Sequence, residues 1–150
     1  MAKIKRLIEI SFLILVSAVI LAQAFAIFLS WRESRFIKKE IWKNSRARVT
    51  KINPTFPPRL LVEFENQGRW AVPKVQLLAV FESEGVEVAR AVREYGEIKP
   101  GQKRAIMLES ISLLPRTETV APPKKLRYRL LVLPGSKKPL PEITGEFTLE

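Results

Sequence analysis

The chain has 150 residues, with 26 Lys and Arg against 15 acids and a formal charge of +11; Cys and His are absent. Every acid is Glu, so Asp is missing too. These absences remove the imidazole base, the thiolate nucleophile, the usual zinc ligands, the axial groups of common haems and the Asp-rich calcium loop, so no enzyme activity, cofactor or metal is expected.

The first element in chain order is an apolar rod. After Lys3, Lys5 and Arg6, the twenty residues from Ile10 to Leu29 carry no charge, and at the helical rise they span the roughly 30 Å of a bilayer's hydrocarbon core. Residues 1–30 are therefore expected to form a cytoplasmic tail and one transmembrane helix. The rival is a cleaved secretory signal, because the leader is basic and Ala22-Gln23-Ala24 or Ala24-Phe25-Ala26 resembles a small-x-small cleavage site. Against that rival, the apolar run continues through Ile27, Phe28 and Leu29, longer than a usual signal core.

Within the helix Ala18, Ala22, Ala26 and Ser30 recur every four residues, which lines small side chains along one stripe where another helix can approach closely. The competing account is the ordinary abundance of Ala in membrane helices. Gln23 lies near mid-span and favours a hydrogen-bonding helix partner over hydrocarbon. Glu9 is one turn from Lys5 and Arg6, where an ion pair at headgroup level accounts for it.

Residues 31–45 follow as a basic juxtamembrane segment. Trp31 is placed for the headgroup region, with Arg32 and Arg35 on the water side. The pattern of Trp31, Phe36, Ile37, Ile41 and Trp42 against Arg32, Arg35, Lys38, Lys39 and Lys43 is helical, with an aromatic face and a basic one. It describes either a collar lying on the membrane or a continuation of the same helix as a stalk. Residues 1–45 hold +5 of the net charge, a concentration that points to anionic lipid headgroups; nucleic acid is not expected as a partner. Orientation is contested, since three basic residues precede the span and seven follow it between Arg32 and Arg48. The positive-inside rule favours a cytoplasmic domain, whereas a short basic tail before a first apolar helix is how bacterial signal anchors begin. The expectation adopted is a single-pass protein of the cell (inner) membrane with its folded domain outside the cytoplasm.

From residue 46 the period changes from 3.6 to 2, and short β-rich runs alternate with Pro and Gly. Seven strands are predicted: Ala47–Asn53, Arg59–Asn66, Lys74–Glu82, Val86–Glu94, Arg104–Glu109, Leu126–Leu133 and Glu142–Leu149. Leu60, Val62 and Phe64 share one face, as do Val75, Leu77, Ala79 and Phe81, and Leu126, Tyr128, Leu130 and Val132. Asn66-Gln67-Gly68, Glu82-Ser83-Glu84-Gly85, Lys99-Pro100-Gly101-Gln102 and Pro134-Gly135-Ser136 supply the turns, with Pro100-Gly101 a type II turn. Residues 54–58 and 116–125 are expected to be irregular connections. The fold class expected for residues 46–150 is an immunoglobulin-like antiparallel β-sandwich, so the chain is mainly β after its helix. Without Cys it must hold together through its core and sheet hydrogen bonds. Few Asn and Gln, 11 Pro and abundant Lys, Glu and Arg are also the bias of heat-adapted proteins.

Leu60 to Glu65 ending in Asn66-Gln67-Gly68, then Val75 to Glu82, Glu84-Gly85 and Ile98-Lys99-Pro100-Gly101, together resemble the run shared by FxLYD-type and CARDB-type bacterial and archaeal Ig-like modules. Leu78-Ala79-Val80-Phe81-Glu82 is similar to the FxLYD signature with each defining position conservatively replaced. The resemblance covers residues 60–110. It implies a β-sandwich used for envelope interactions, without catalytic residues.

Little else in the domain carries chemistry. Glu63 and Glu65 share a face but read as a solvated surface opposite Leu60, Val62 and Phe64. Ser110, Ser112 and Thr117 have no His or Asp to activate them, and no Gly-x-Gly pair exists for a phosphate loop. Lys124-Lys125 and Lys137-Lys138 flank one strand at opposite ends and read as solubilising. Trp70 reads as a cap on the sandwich core rather than a base-stacking group. The function expected is a non-catalytic accessory or scaffold subunit that binds integral membrane proteins of a larger assembly. The alternative is a surface module that binds anionic lipid or an envelope polymer.

Overall fold

The computed structural model describes residues 1–115 and 121–150. The chain divides into two compact units, Met1–Ile37 and Lys38–Glu150. Helix α1 runs from Ala2 to Asn44 and is followed directly by strand β1, Ser45–Asn53. No Gly or Pro occurs before Pro54, so no residue in this stretch breaks the helical ladder, and residues 31–44 continue the same helix.

In the second unit β1 is joined by β2 (Arg59–Asn66), β3 (Val75–Ser83), β4 (Val86–Tyr95), β5 (Lys103–Glu109), β6 (Ile111–Ser112), β7 (Lys125–Pro134) and β8 (Ile143–Thr148). They form a three-stranded sheet in the order β1-β2-β5 and a five-stranded sheet in the order β6-β4-β3-β7-β8, every pairing antiparallel. This is the β-sandwich expected. Among the described residues it has eight strands rather than seven, because the two residues of β6 are too short to show a period.

The alternating faces meet as the sequence implies. Leu60, Val62 and Phe64 of β2 are buried, as are Val75, Leu77, Ala79 and Phe81 of β3 and Leu126, Tyr128, Leu130 and Val132 of β7. Each large apolar side chain so buried contributes about 1.5–3 kcal/mol. Phe81 meets Phe147 edge to face, ring centroids 6.2 Å apart, an arrangement favoured by the ring quadrupoles. Opposite Tyr128 stands Gly145 on β8; a Cβ there would lie 2.6 Å from the phenol ring, so glycine makes room for it. Burial raises the Tyr128 phenol above its ordinary value.

Two bulges adjust the strands. In β4 Phe81 faces Ala89 and Glu82 faces Glu87. Val88 is the extra residue, and both it and Ala89 are buried. In β1 the register shifts between Val49 and Lys51. Arg93 of β4 donates from Nη1 to the Met107 carbonyl of β5 at 2.6 Å, tying one sheet to an edge strand of the other.

The turns use their glycines differently. Glu84 and Gly85 both have positive φ, 51° and 79°, the type I′ geometry that suits a two-residue hairpin. Gly101 has φ 76° and Gln102 N–H donates to the Lys99 carbonyl at 3.1 Å, which is the type II turn predicted at Pro100-Gly101. Gly68 does not adopt positive φ; its need is close approach, since a Cβ would lie 3.1 Å from Asn44 Cβ.

Asn66 is fully buried and organises this end of the sandwich. Its amide Nδ2 donates to the carbonyls of Trp70 at 2.8 Å and Ile98 at 3.1 Å, and its Oδ1 accepts from Gly68 N–H at 3.0 Å. Its backbone pairs with Gln102 and Gly101. Beside it Val72 and Ile98 form an isolated bridge and are both completely buried. These two residues close the core here. Trp70 is 42% exposed, so the expected aromatic cap is replaced by the smaller pair, while the Trp70 carbonyl accepts from Asn66. Of the predicted connection over residues 116–125, the first five residues, Thr117 among them, lie outside the described residues.

Candidate functional site

Helix α1 is long and apolar enough over its N-terminal part to cross a membrane, the test that a signal sequence also meets. Its side chains in the first unit are exposed on every side, Leu15 by 63%, Leu21 by 70% and Ile27 by 71%. An apolar helix without a polar face is stable in hydrocarbon, not in water. Ala18, Ala22, Ala26 and Ser30 all lie on this unbroken helix, and the i, i+4 spacing sets them along one slowly winding stripe. Gln23 precedes Ala26 by three positions and Ser30 by seven, so it flanks the upper part of the stripe.

The seven residues expected at the membrane interface divide between the two units. Trp31, Arg32 and Arg35 belong to the first, where Arg35 Cζ lies 4.4 Å from the Trp31 ring centroid and Phe28 stacks at 6.3 Å. The guanidinium over the indole face is a cation–π contact that holds the pair together. Lys38, Lys39, Trp42 and Lys43 belong to the second.

There the helix ends by side-chain capping rather than by glycine. Asn44 Nδ2 donates to the Glu40 carbonyl at 2.9 Å, buried Ser45 Oγ to the Ile41 carbonyl at 2.6 Å, and Arg46 Nη1 to the Lys43 carbonyl at 3.1 Å. The Ile41 and Lys43 carbonyls are among the last four, which a helix terminus leaves open, and the Glu40 carbonyl immediately precedes them. Asn44 then accepts from Gln67 N–H at 2.9 Å, while Ile41 is buried.

The β7–β8 loop completes this region. Trp42 Nε1 donates to the Pro139 carbonyl at 2.9 Å, and Lys138 Nζ lies 4.0 Å from the Trp42 ring centroid. Leu140 is buried and its N–H bonds the Val132 carbonyl. Trp42 thus spends its polar atom and one ring face on the loop. Sequence reading missed this docking, for which the Pro139-Leu140-Pro141 run, apolar within a basic loop, was the available signal. Next to it Lys38, Pro73, Lys74, Gln76, Leu133, Gly135, Ser136 and Lys137 line a recess of about 510 Å³.

Lys74 Nζ approaches Glu94 Oε1 at 2.6 Å, and Gln76 Nε2 donates to the same oxygen at 3.0 Å. These two bonds, Lys74 first, hold the Glu94 carboxyl below its ordinary value. Elsewhere Arg90 lowers Glu87 and Lys125 lowers Glu146 in the same way. Glu94 and Glu146 are exposed and Glu87 is half-buried, and pairs at such a surface add little stability.

The remaining polar residues have structural partners. Glu63 pairs with Arg48 at 2.7 Å, and Glu65 stands opposite Arg46 and Lys103 in register, the cross-strand charge matching of a solvated face. Buried Ser110 donates to the Pro58 carbonyl, and Ser112 Oγ accepts from Leu114 N–H at 3.2 Å. Among the described residues no three acids gather as metal ligands would.

No family model and no curated protein matches the chain. Similar solved structures include a β-glucuronidase from glycoside hydrolase family 2, at 12% identity and TM-score 0.46 over 71% of this chain and 11% of that one. A β-glucosidase from Paenibacillus barengoltzii matches at 12% identity and TM-score 0.36 over 71% and 14%. The E. coli curli protein CsgC matches at 13% and 0.34 over 69% and 96%. The chain thus spans only about a tenth of the β-glucuronidase's length.

Proposed function

We propose that this chain is a non-catalytic, single-pass accessory or scaffold subunit whose helix sits in the cell membrane and whose β-sandwich lies outside the cytoplasm, where it binds a larger membrane or envelope assembly. One observation carries the reading: an uncharged helical stretch exposed on all sides runs without a break into a capped β-sandwich. Such a stretch is stable only in lipid or against other helices. The stripe of Ala18, Ala22, Ala26 and Ser30, with Gln23 beside it, is the face that supports helix-to-helix docking, because small side chains let two backbones approach and the amide gains a partner. The likeness of residues 60–110 to FxLYD-type and CARDB-type modules fits a sandwich used for contact.

Isolation of the intact protein from its native membrane in mild detergent tests this. A stoichiometric integral membrane partner is expected to co-purify. Ala22→Leu with Ala26→Leu, which leaves the helix apolar but forces the backbones apart, is expected to reduce the co-purified partner roughly tenfold, from an overpacking cost of about 1–3 kcal/mol. A lone monomer, or a partner retained equally by the double variant, would refute the docking face.

A further inference from the structure

The recess beside the helix end is a built feature rather than a chance gathering of surface lysines. Its wall, the turn at Gly135, is fastened to the start of β3: Gly135 N–H donates to the Lys74 carbonyl at 2.8 Å, and a Cβ on Gly135 would lie 3.1 Å from Pro73 Cδ. Four residues on, the same loop is fastened to the helix through Trp42 and Pro139, and one residue later to β7 through Leu140. Held at both ends, the backbone of Ser136–Lys138 is fixed beside the start of β3 and the helix end. Lys137, Lys74 and Lys38, from three separate stretches of chain, line one recess. Lys74 is paired with Glu94; among the described residues Lys38 and Lys137 form no ion pair. Like charges gathered around one recess repel one another, and an anion between them relieves that repulsion. Lys38 follows Trp31 by seven residues in the chain.

We propose that this recess binds the phosphate-bearing headgroup of an anionic membrane lipid, with Lys38 and Lys137 contacting the phosphate, Ser136 offering a hydroxyl, and Pro73 and Leu133 covering the glycerol carbons. The proposal rests on the reading of the helix as membrane-embedded. A basic pocket close to a membrane helix is a recurrent way of holding such headgroups.

The test uses the full chain in nanodiscs of equimolar phosphatidylcholine and phosphatidylglycerol, with the lipids retained on release read by native mass spectrometry. Phosphatidylglycerol is expected to be retained roughly 25-fold over phosphatidylcholine, at about fivefold per lysine, and Lys38→Gln with Lys137→Gln to abolish that preference. Lys3→Gln with Lys5→Gln, at the other end of the helix, is expected to leave it unchanged. Equal retention of the two lipids, or retention untouched in the Lys38/Lys137 variant, would overturn the site. So would its emptying by low millimolar inorganic phosphate, which would make the ligand a soluble anion. If the chain does not co-elute with the nanodiscs, the membrane reading falls and this one with it; co-elution without a lipid preference removes the lipid site alone.

Discussion

Replacing Asn66 by alanine is expected to destabilise the sandwich by about 3 kcal/mol and to lower its melting temperature by about 15 °C. The change removes both amide donations, to Trp70 and Ile98, and the acceptor for Gly68 N–H. The Ile98 carbonyl still receives Val72 N–H; the Trp70 carbonyl and the Gly68 N–H lose the partners that Asn66 supplies. Three hydrogen bonds lost at about 1 kcal/mol each give the expected total. Asn66→Asp keeps the acceptor but loses both donations, and is expected to fall nearly as far. Thermal unfolding of the full chain in detergent, followed by its β signal, measures both. A shift of about 2 °C or less for either variant, well under the effect of 1 kcal/mol, would show that the buried amide is not the organiser described.

The second large effect lies in the helix. Ile20→Lys together with Leu21→Lys places two charges at the middle of the uncharged stretch. At about 3 kcal/mol per lysine at a bilayer's centre, the pair costs about 6 kcal/mol of insertion. Expressed as the full chain, the variant is expected to leave the membrane fraction almost completely. The sandwich core shares no residue with this change, so any variant protein recovered in solution is expected to retain the wild-type β signal. Membrane retention equal to wild type would mean that the stretch is not held in hydrocarbon.

The strands were legible because their faces alternate strictly: Leu60-Val62-Phe64, Val75-Leu77-Ala79-Phe81 and Leu126-Tyr128-Leu130-Val132 are inward in the structure as in the pattern. Glu84-Gly85 and Pro100-Gly101 are local turn chemistry and were equally readable. The helix limit near Asn44 was visible as a change of period, although what ends the helix is tertiary, since Ser45 and Asn44 cap carbonyls and β1 pairs with β2. What could not be read depends on residues distant in sequence. Lys137 and Lys138 look like solubilising loop charges until Pro139 and Leu140 bring their loop against Trp42. Trp70 was the obvious candidate for a cap, yet Val72 and Ile98 fit the space beneath Asn66. Gly68 answers to the proximity of Asn44, a residue that no turn rule places near it.

The most direct measurement of the central claim is an alkaline carbonate wash of membranes carrying the wild-type chain, followed by the intact mass of the recovered protein. The tether account predicts that the chain stays in the pellet with residues 1–30 still attached. Release into the supernatant, or a mass shortened by cleavage between Ala22 and Ala26, would contradict it.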